Sequence, residues 1–163
     1  MKKEGIAIVP GSFDPITNGH LAIIKKASDS FEKVYVAVMI NDQKQYMFTL
    51  EQREAIAKAC LSDIENVSVI SSRGWLWELA RDLGACAIVK GYRNDIDLEY
   101  ENKMAAFNRE HYPKAETVLI KAEEGMEDIS STMVRAKLNT FDEPDGLVPQ
   151  KAIEEIKKIT PRD

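Results

Sequence analysis

Short apolar runs alternate with segments of helical periodicity along the whole chain, and this alternation constrains the fold more than any other feature. Five runs have the length and residue types of buried strands: 5–9, 33–40, 66–71, 86–90 and 116–121. The second is apolar at nearly every position, which is typical of a parallel strand covered on both faces. Because strand and helix recur at intervals of roughly 30 residues, we predict right-handed βαβ units and a five-stranded parallel sheet.

The segments between these runs carry helix signals. Helical spacing covers approximately 19–31, 50–61, 75–83, 95–111, 131–138 and 150–159. Thr49 begins a capping box with Gln52, Gly84 is a helix stop, and Ser130 or Ser131 caps a later helix. No linker, repeat or low-complexity stretch divides the sequence. We therefore predict one Rossmann-like, doubly wound α/β domain over residues 1–163, with a helical segment at its C-terminal end.

Composition places the chain among ordinary globular proteins. Hydrophobic residues make up 44% and charged residues 30% of its 163 residues, which suits one full core. Apolar runs such as VYVAVMI are far shorter than the roughly 20 residues of a membrane span, and the N-terminus lacks the apolar core of a signal peptide. The two cysteines, Cys60 and Cys86, fit no metal-ligand spacing and are expected to be reduced. These features predict a cytoplasmic protein.

The charge balance limits the partners of the chain. A formal net charge of −5 opposes binding to nucleic acid or to an anionic membrane surface. Small phosphorylated ligands remain possible, because they need only a few well-placed cations. In doubly wound sheets, ligands bind beyond the carboxyl ends of the strands. The site is therefore expected in the segments 10–20, 41–48, 71–75, 90–95 and 122–132.

The segment after the first strand, PGSFDPITNGH (10–20), concentrates residues with special backbone or chemical properties. Neither the G-x-G-x-x-G nor the P-loop fingerprint occurs in the chain. Gly11 can adopt positive φ or let a ligand approach the backbone, and Asp14 before Pro15 is a turn starter. His20 falls at a helix start, where N–H groups and the helix dipole favour phosphates. An imidazole there can donate to a phosphate oxygen that gains charge in a transition state.

Cations and hydroxyl groups follow the other strands. Lys44 lies in a polar loop, where a lone lysine is usually solvated. Lys90 and Arg93 flank Gly91 at the end of the fourth strand, and two cations with a glycine suit a phosphate site. The run Ser-Ser-Thr at 130–132 stands at a helix start. Three adjacent hydroxyl groups offer more donors than a helix cap uses, and Arg135 beside them would complete a second phosphate site.

Other polar and aromatic residues are less specific. Asp97 and Glu101 are four residues apart and share one helix face, which by default is solvated. Trp75 and Trp77 face different ways on a helix, so at least one could be a core residue and the other part of a pocket wall. His111 lies at a helix end and is expected to be structural.

The combination of PGSFDP with TNGH is highly specific, because TNGH is a variant of the H-x-G-H signature with Thr17 in the first histidine's place. With K-x-x-M-F-T at 44–49, K-G-Y-R at 90–93 and I-S-S-T-M-V-R at 129–135, it makes the chain similar to the bacterial phosphopantetheine adenylyltransferases, within the H-x-G-H nucleotidylyltransferase superfamily. The resemblance runs over about 10–136. It implies that AMP passes from ATP to 4′-phosphopantetheine, giving dephospho-coenzyme A and pyrophosphate.

The resemblance also implies roles for individual residues. His20 and Lys44 would stabilise the transition state at the α-phosphate, while Ser12 orients the attacking phosphate. Phosphopantetheine would be bound by Ser12, Lys44, Leu76 and Lys90. The nucleotide would be held by Ser12, Phe13, His20, Gly91, Tyr92, Arg93, Glu101, Met126, Glu127, Asp128, Ile129, Ser130, Ser131 and Thr132. Lys90 stands where the family usually has Arg, which keeps the charge but loses the bidentate fork.

The implied chemistry needs no covalent intermediate. No activated nucleophile is visible in the sequence, so the resemblance implies direct in-line attack, with catalysis by positioning and charge stabilisation. Mg²⁺ would be held mainly by ATP phosphates and water, without a dedicated protein cage. The family also implies a homohexamer and feedback binding of coenzyme A. Two alternatives remain open: a sister transferase for nicotinamide mononucleotide, glycerol phosphate or choline phosphate, and a regulator that binds nucleotide without turnover.

Overall fold

A parallel sheet forms the centre of the molecule, for which a computed structural model describes residues 3–159. Within this range five strands form one sheet: β1 (Lys3–Gly11), β2 (Phe31–Met39), β3 (Val67–Ser72), β4 (Ala87–Tyr92) and β5 (Glu116–Lys121). Their order across the sheet is β3-β2-β1-β4-β5, and every pair is parallel. The predicted doubly wound α/β arrangement is confirmed, although the ends of the predicted domain lie outside the described residues.

Helices alternate with these strands. The described residues form six of them: α1 (Asn18–Ser30), α2 (Leu50–Leu61), α3 (Leu76–Leu83), α4 (Asp95–His111), α5 (Ser131–Asn139) and α6 (Gln150–Ile159). The predicted bounds agree with these to within two residues. Periodicity and end signals in the sequence therefore locate each helix closely.

The helix ends show the predicted cap geometry. Thr49 Oγ1 accepts the Gln52 N–H at 3.1 Å, and Gln52 Oε1 accepts the Thr49 N–H at 2.9 Å. Gly84 ends α3 with φ 65°, a left-handed conformation that glycine adopts without steric penalty. Ser130 is the cap of α5. These local signals are confirmed because caps depend on residues only three or four positions apart.

Both faces of the sheet are covered. Ala7 and Val9 of β1 pack into the larger core together with α1, α2, α5 and α6, whereas Ile8 packs into the smaller core with α3. Val9 is 4% exposed and the other two are fully buried. Successive side chains of a strand point to opposite faces, so burial on both faces explains the uninterrupted apolar run in the sequence.

The strand order reverses beside β1. This strand pairs with β2 on one side and with β4 on the other, and the chain reaches β4 only after completing β2 and β3. In open α/β sheets, ligands bind beyond the carboxyl ends of the strands at such a reversal. The segments that follow β1 and β4 therefore flank the expected site, and those after β2, β3 and β5 lie along the same edge.

Two further expectations concern membrane-spanning helices and the state of the cysteines. Within the described residues, no helix combines the length and apolar character needed to cross a membrane. Both cysteines are free thiols; Cys60 is buried and Cys86 is partly buried against the larger core. Burial raises the pKa of Cys60 to about 11, so this thiol is inert at neutral pH.

Candidate active site

His20 is fixed by the residues that precede it, the first turn (12–17). Thr17 caps α1, and the ring of His20 takes part in a reciprocal capping box with it. The Thr17 N–H donates to His20 Nδ1 at 3.0 Å, and Thr17 Oγ1 lies 3.2 Å from the same nitrogen. Since Nδ1 accepts a hydrogen bond, the neutral ring carries its proton on Nε2. The imidazole therefore presents a single N–H donor on the side opposite the turn.

His20 is neutral at physiological pH. Burial lowers the pKa of the ring to about 4, with smaller contributions from the positive charges of Lys90 and Arg93. A group with such a pKa binds almost no additional proton at pH 7. The influence of the two cations also shows that the ends of β1 and β4 converge on this ring. His20 can therefore act as a hydrogen-bond donor and not as a cation.

Asp14 joins the first turn to the loop between β2 and α2, here called the Lys44 loop (40–49). It is 2% exposed, and its carboxylate accepts the N–H groups of Met47 and Phe48, each at 3.0 Å. Arg135 lies 3.7 Å from the same carboxylate and donates to the Asp14 carbonyl at 2.8 Å. The sequence predicted only a turn starter here. Asp14 instead connects three of the segments expected at the site.

Lys44 and Ser12 each carry an uncommitted polar group on one of these two segments. Lys44 is exposed, and its backbone N–H donates to the Asn41 carbonyl at 2.9 Å. Neither its ammonium group nor the Ser12 hydroxyl makes a hydrogen bond or ion pair with any residue of 3–159. A flexible ammonium group can follow a phosphate whose charge shifts. Both groups are thus free to meet a ligand, and their predicted roles stay predictions.

At the carboxyl end of β4, Lys90 pairs with Glu101. The distance from Nζ to Oε1 is 3.4 Å, and Glu101 is 9% exposed. Burial raises the pKa of the Glu101 carboxyl, while Lys90 opposes this shift. The expectation of a solvated acidic face is therefore wrong for Glu101, because this side of α4 is turned towards β4. The sequence assigned the two residues to different substrates, and that assignment stays a prediction.

A second ion pair lies at the start of α4. Arg93 Nε is 3.3 Å from Asp97 Oδ2, and the Arg93 backbone N–H donates to the same oxygen at 3.1 Å. Asn94 caps the helix by accepting the Asp97 N–H at 2.9 Å. The guanidinium group of Arg93 is therefore held beside the helix start, where its charge also reaches His20.

Two predicted site glycines are explained by packing. A β-carbon on Gly91 would lie 3.0 Å from Cγ1 of Ile23 in α1, so the close approach of β4 to α1 requires glycine here. A β-carbon on Gly11 would lie 3.1 Å from the ring of Phe13, and Gly11 is not among the residues with positive φ. Of the two roles considered for Gly11, a positive φ is not observed, and the Phe13 ring occupies the space beside it; approach of a ligand to its backbone stays a prediction. Contact of Gly91 with ATP stays a prediction.

Phe13 adopts a backbone conformation that is unusual for its residue type. Its φ is 48°, in the left-handed region, which costs non-glycine residues roughly 1–2 kcal/mol. The side chain is 2% exposed, and its ring meets the edge of the His20 ring with centroids 4.9 Å apart. Because the ring is buried, the predicted contact of Phe13 with ATP is possible only through its backbone.

The hydroxyl groups at the start of α5 have partners within the chain. Ser130 caps the helix at 3.2 Å, and Ser131 Oγ donates to the Pro15 carbonyl at 2.8 Å. Thr132 Oγ1 accepts from Arg135 Nη2 at 3.0 Å. The sequence predicted surplus hydroxyl groups and a phosphate-binding Arg135. All four side chains have partners: Ser131 and Arg135 bind carbonyls of the first turn, whereas Ser130 and Thr132 bind groups within α5, so any contact with ATP would add to these bonds.

The loop after β5, whose residues Met126 to Ile129 are predicted to hold the nucleotide, lies beside the start of α1. It begins with a backbone hydrogen bond of 2.8 Å to the Tyr92 carbonyl. At its other end, the Ile129 carbonyl lies 3.8 Å from the position that a β-carbon of Gly19 would occupy. Met126 is partly buried, whereas residues 127–128 are exposed. The structure therefore brings the ends of β4 and β5 to the same edge as His20.

The aromatic residues of α3 face α4 instead of the core. Leu76, the first residue of α3, packs against the smaller core. Trp75 is 59% exposed and lies against Phe107, with ring centroids 5.6 Å apart. Trp77 is partly buried and stacks on His111 at 5.1 Å. The expectation that one tryptophan belongs to the core is wrong, because leucine and alanine side chains of α3 fill it.

Sequence reasoning missed Arg53, the largest fully buried side chain among the described residues. It lies on the buried face of α2, where Leu50, Ala57 and Cys60 are also buried. Its Nη1 donates to the Ser12 carbonyl at 2.7 Å. The available signal was a charged residue at an apolar position of a helical pattern, since buried charges need specific partners.

The arrangement suits an anionic, phosphorylated ligand. Within residues 3–159, no three His, Cys, Asp or Glu side chains are grouped so as to hold a metal ion. The carboxylates near the site already bind N–H groups or cations, as described for Asp14, Asp97 and Glu101. What faces the edge of the sheet is a neutral N–H donor with several cations, which can stabilise negative charge on phosphate oxygens.

Comparison with known proteins agrees with this site. Residues 8–137 match the family model described as cytidylyltransferase-like. The chain is 40% identical over 158 residues to a phosphopantetheine adenylyltransferase of Streptococcus gordonii, covering 96% of both chains. It is 41% identical over 155 residues to that of Lactobacillus acidophilus, covering 94% of this chain and 96% of the relative.

A third relative comes from another genus. The chain is 38% identical over 153 residues to the phosphopantetheine adenylyltransferase of Clostridium perfringens, covering 94% of this chain and 93% of that protein. These matches span the first turn, the Lys44 loop, the end of β4 and the start of α5. The chain therefore belongs to the cytidylyltransferase-like family and, within it, to the phosphopantetheine adenylyltransferases.

Proposed function

We propose that this chain transfers the adenylyl group of ATP to 4′-phosphopantetheine, the penultimate step of coenzyme A biosynthesis, and releases dephospho-coenzyme A and pyrophosphate. The observation that carries the proposal is identity of about 40% to phosphopantetheine adenylyltransferases over 96% of the chain. The site supports it independently, because a neutral donor and several cations meet at the edge where doubly wound sheets bind ligands.

The chemistry is a direct in-line displacement. A phosphate oxygen of phosphopantetheine attacks the α-phosphorus of ATP and forms a new P–O–P linkage. The bond between the α-phosphorus and the bridging oxygen breaks, and its electron pair leaves with pyrophosphate. The Ser12 hydroxyl has no basic partner among the described residues, so the site supplies no activated serine for a covalent intermediate.

His20 stabilises the charge that develops on the α-phosphate. With Nδ1 engaged by the Thr17 N–H, the Nε2–H group is the donor available to a phosphate oxygen. A ring held by a capping box needs little reorganisation during the reaction, and donors fixed in advance contribute most to stabilising a transition state. The low pKa of His20 keeps this donor in one protonation state at neutral pH.

Lys44 and Ser12 contact the acceptor phosphate. Both side chains are uncommitted, and Asp14 holds their two segments together through the Met47 and Phe48 N–H groups. The Ser12 hydroxyl orients the attacking phosphate, and Lys44 partly neutralises the like charges of acceptor and donor. Orientation of two reactants lowers the entropic part of the barrier.

Lys90 and Arg93 provide the remaining positive charge, on the acceptor side and the ATP side respectively. Each now faces a carboxylate, at 3.4 Å and 3.3 Å. A phosphate that enters the site competes with these carboxylates for the same cations. Glu101 and the backbone of Gly91 would position Lys90 for this exchange.

The nucleotide base lies against the loop after β5. Met126 and Ile129 are partly buried there and supply apolar contacts, while residues 127–128 and the backbone of Tyr92 supply polar ones. The start of α5, with Ser130, Ser131 and Thr132, then meets the outer phosphates of ATP, since a helix N-terminus favours anions. Leu76 at the start of α3 faces the pantetheine arm.

The residues of the site suit a Mg²⁺ ion that would be carried by ATP and not by the protein. Asp14, Asp97 and Glu101 are engaged by N–H groups or cations, and no carboxylate cluster could hold a metal ion within residues 3–159, so the donor set fits an ion carried by the ATP phosphates and its own water molecules. Bound in this way, Mg²⁺ would neutralise charge on the leaving pyrophosphate. The side chains of the protein then act on the α-phosphate and the acceptor.

The test is pyrophosphate release from ATP and Mg²⁺ with three acceptors in parallel: 4′-phosphopantetheine, nicotinamide mononucleotide and glycerol phosphate. We expect turnover with phosphopantetheine alone and the mass of dephospho-coenzyme A in the product. Turnover with another acceptor would identify a sister transferase. Binding of ATP without turnover for any acceptor would identify a nucleotide-binding regulator.

We further propose that copies of the chain assemble, as a hexamer by resemblance, through the outer side of α4. Ile96 is 81%, Tyr100 59% and Met104 38% exposed, whereas Glu101 and Asn108 of the same helix are buried. A contiguous apolar surface of this kind is typical of an interface. Analytical ultracentrifugation should show that Ile96→Glu dissociates the assembly.

The matched control for this assembly test is Lys114→Glu, which also introduces an acidic residue at an exposed position but lies away from the apolar side of α4. It should sediment like the wild-type chain. A wild-type chain that sediments as a monomer at micromolar concentration would contradict the assembly.

Two smaller proposals follow from the reaction. Coenzyme A shares its pantetheine arm and adenylate with the product, so it would compete for the same site, and inhibition kinetics with varied phosphopantetheine would test this. A cytoplasmic location is supported by the two free cysteines, which suit a reducing compartment.

A further inference from the structure

Arg53 lies beneath the two segments that carry the uncommitted groups of the site. It is 1% exposed. Its Nη1 donates to the Ser12 carbonyl at 2.7 Å and to the Met39 carbonyl at 3.1 Å, and its Nε donates to the Phe48 carbonyl at 3.2 Å. These carbonyls belong to the first turn, the end of β2 and the end of the Lys44 loop. One guanidinium group therefore fixes three backbone segments.

Tyr46 closes the Lys44 loop over this guanidinium group. Its ring centroid lies 3.9 Å from the guanidinium carbon of Arg53, a cation–π contact. Its Oη accepts the Asn41 N–H at 2.7 Å. Asn41 and Tyr46 stand on either side of Lys44, so the stretch that presents the ammonium group is closed at both ends.

The bond to the Ser12 carbonyl also bears on the position of His20. The φ angle of Phe13, 48°, sets the direction of the preceding carbonyl. A non-glycine residue keeps such a conformation only when its surroundings hold it, and Arg53 supplies this restraint. Because the buried ring of Phe13 meets the His20 ring, the restraint extends from Arg53 to the imidazole.

Stability alone does not account for this arrangement. The remaining amino group, Nη2, is buried and has no hydrogen-bond partner among the described residues. Burial also lowers the pKa of Arg53, which shows that the protein environment disfavours the charge. Buried donors without partners destabilise a fold, and apolar residues often replace buried charges with no loss of stability. These costs favour a functional role for the charge in addition to its structural contacts.

We propose that Arg53 is a positioning residue for adenylyl transfer. By binding the Ser12 and Phe48 carbonyls at once, it sets the distance between the first turn and the Lys44 loop. The inference rests on the proposed function, which assigns groups on these two segments to the reacting phosphates. Arg53 itself is buried and acts only through the backbone that it holds. The planar fork of arginine is required, since lysine has a single point of attachment.

The test compares kinetics with ligand binding in Arg53→Lys. We expect kcat to fall about 10- to 100-fold, since a misplacement of roughly 1 Å costs up to about 100-fold. The dissociation constant of ATP alone should change less than about twofold, because the first turn and the loop after β5 remain folded. Ile56→Val, a core substitution in the same helix, controls for lost stability and should keep the wild-type kcat.

A second variant keeps the test decisive if Arg53→Lys does not fold. Tyr46 is partly exposed, and Tyr46→Leu removes the ring that covers the guanidinium group of Arg53. We expect kcat to fall less than in Arg53→Lys. Tyr46→Phe keeps the ring over Arg53 but loses the bond to the Asn41 N–H; it should recover most of the activity, and in both Tyr46 variants the dissociation constant of ATP should stay near the wild-type value while kcat changes.

Three results would overturn the inference. The first is a wild-type kcat in a folded Arg53→Lys or, where that variant does not fold, a wild-type kcat in Tyr46→Leu. The second is a fall in kcat that is as large in Ile56→Val as in Arg53→Lys, when both variants are destabilised to the same extent. The third is a wild-type chain that turns over no acceptor; this alone would also overturn the proposed function, so the two failures are distinguishable.

Discussion

The two sides of the site are built in different ways. Around the first turn and the Lys44 loop, buried side chains bind the backbone: Asp14 is 2% exposed and Arg53 is 1% exposed. At the end of β4, charged side chains bind each other in two ion pairs, with N–O separations of 3.4 and 3.3 Å. The first side holds the neutral donor of His20, and the second holds cations whose charge adds to the effect of burial in lowering the pKa of that ring.

This difference separates two tasks of the reaction. A donor to the transition state must be in place before the reaction starts, and bonds to the backbone achieve this. Cations that bind a substrate must release their resting partners when the substrate arrives. Both cations are partly exposed, so an entering phosphate can reach them and replace the carboxylates. The following predictions, in order of decreasing effect, test whether the two sides differ in this way.

The largest effect is expected from His20→Ala. Removal of one fixed donor to a transition state lowers kcat by about 100- to 1,000-fold, whereas the dissociation constant of ATP should change little. Steady-state pyrophosphate release measures the first quantity and calorimetry the second. His111→Ala is the control, since His111 packs on Trp77 away from the first turn. A loss of less than tenfold would show that His20 is not the principal donor.

Lys44→Ala should lower kcat/KM about 10- to 100-fold, the effect of losing one charge-assisted contact to phosphate. Because Lys44 is exposed, the free energy of unfolding should change by less than about 0.5 kcal/mol. Lys114→Ala, at an exposed position before β5, provides the matched control. Equal kinetics for the two variants would remove Lys44 from the site.

Substitutions at Lys90 should separate its effect on substrate binding from its effect on the stability of the fold. Lys90→Ala should raise the KM for phosphopantetheine about tenfold and lower the free energy of unfolding by about 1–3 kcal/mol, because Glu101 is left buried without its partner. Adding Glu101→Gln should restore the unfolding free energy but not the KM. Lys90→Arg should lower the KM modestly, since its fork binds phosphate at two points. An unchanged KM in Lys90→Ala would place the acceptor elsewhere.

The smallest effect concerns pH and stability. The pKa of His20 is about 4 in the folded chain and about 6.5 when unfolded, so only the unfolded chain binds the proton between these values. The free energy of unfolding should therefore fall as the pH drops from 6.5 towards 4, by at most about 1.4 kcal/mol per pH unit. Urea denaturation should show a shallower slope in His20→Gln and the wild-type slope in His111→Gln.

The helices and strands could be predicted from the sequence because the signals that define them are local. The bounds of α4, β5 and α6 agree with the prediction, because helix caps, glycine stops and strand periodicity depend on residues that lie close together in the sequence. The edge that carries the site was also predictable, since the carboxyl ends of parallel strands meet there.

The framework of the site was not predictable in this way. Asp14 binds Met47 across 33 residues, and Arg53 binds the Ser12 carbonyl across 41 residues. No local pattern encodes such partners. The spacing of Asp97 and Glu101 indicated only a solvated face by default, because helix periodicity alone does not show which side of α4 faces β4; the nucleotide-binding role of Glu101 came from the resemblance.

The protonation state of His20 tests the central claim most directly, because the account depends on a neutral ring that is fixed before substrate binds. Nitrogen-15 NMR of the histidine side chains, recorded between pH 4 and 8, resolves both ring nitrogens. We predict that His20 carries its proton on Nε2 throughout the neutral range and titrates with a pKa of about 4. A pKa near 6.5, or a proton on Nδ1 at pH 7, would contradict the account.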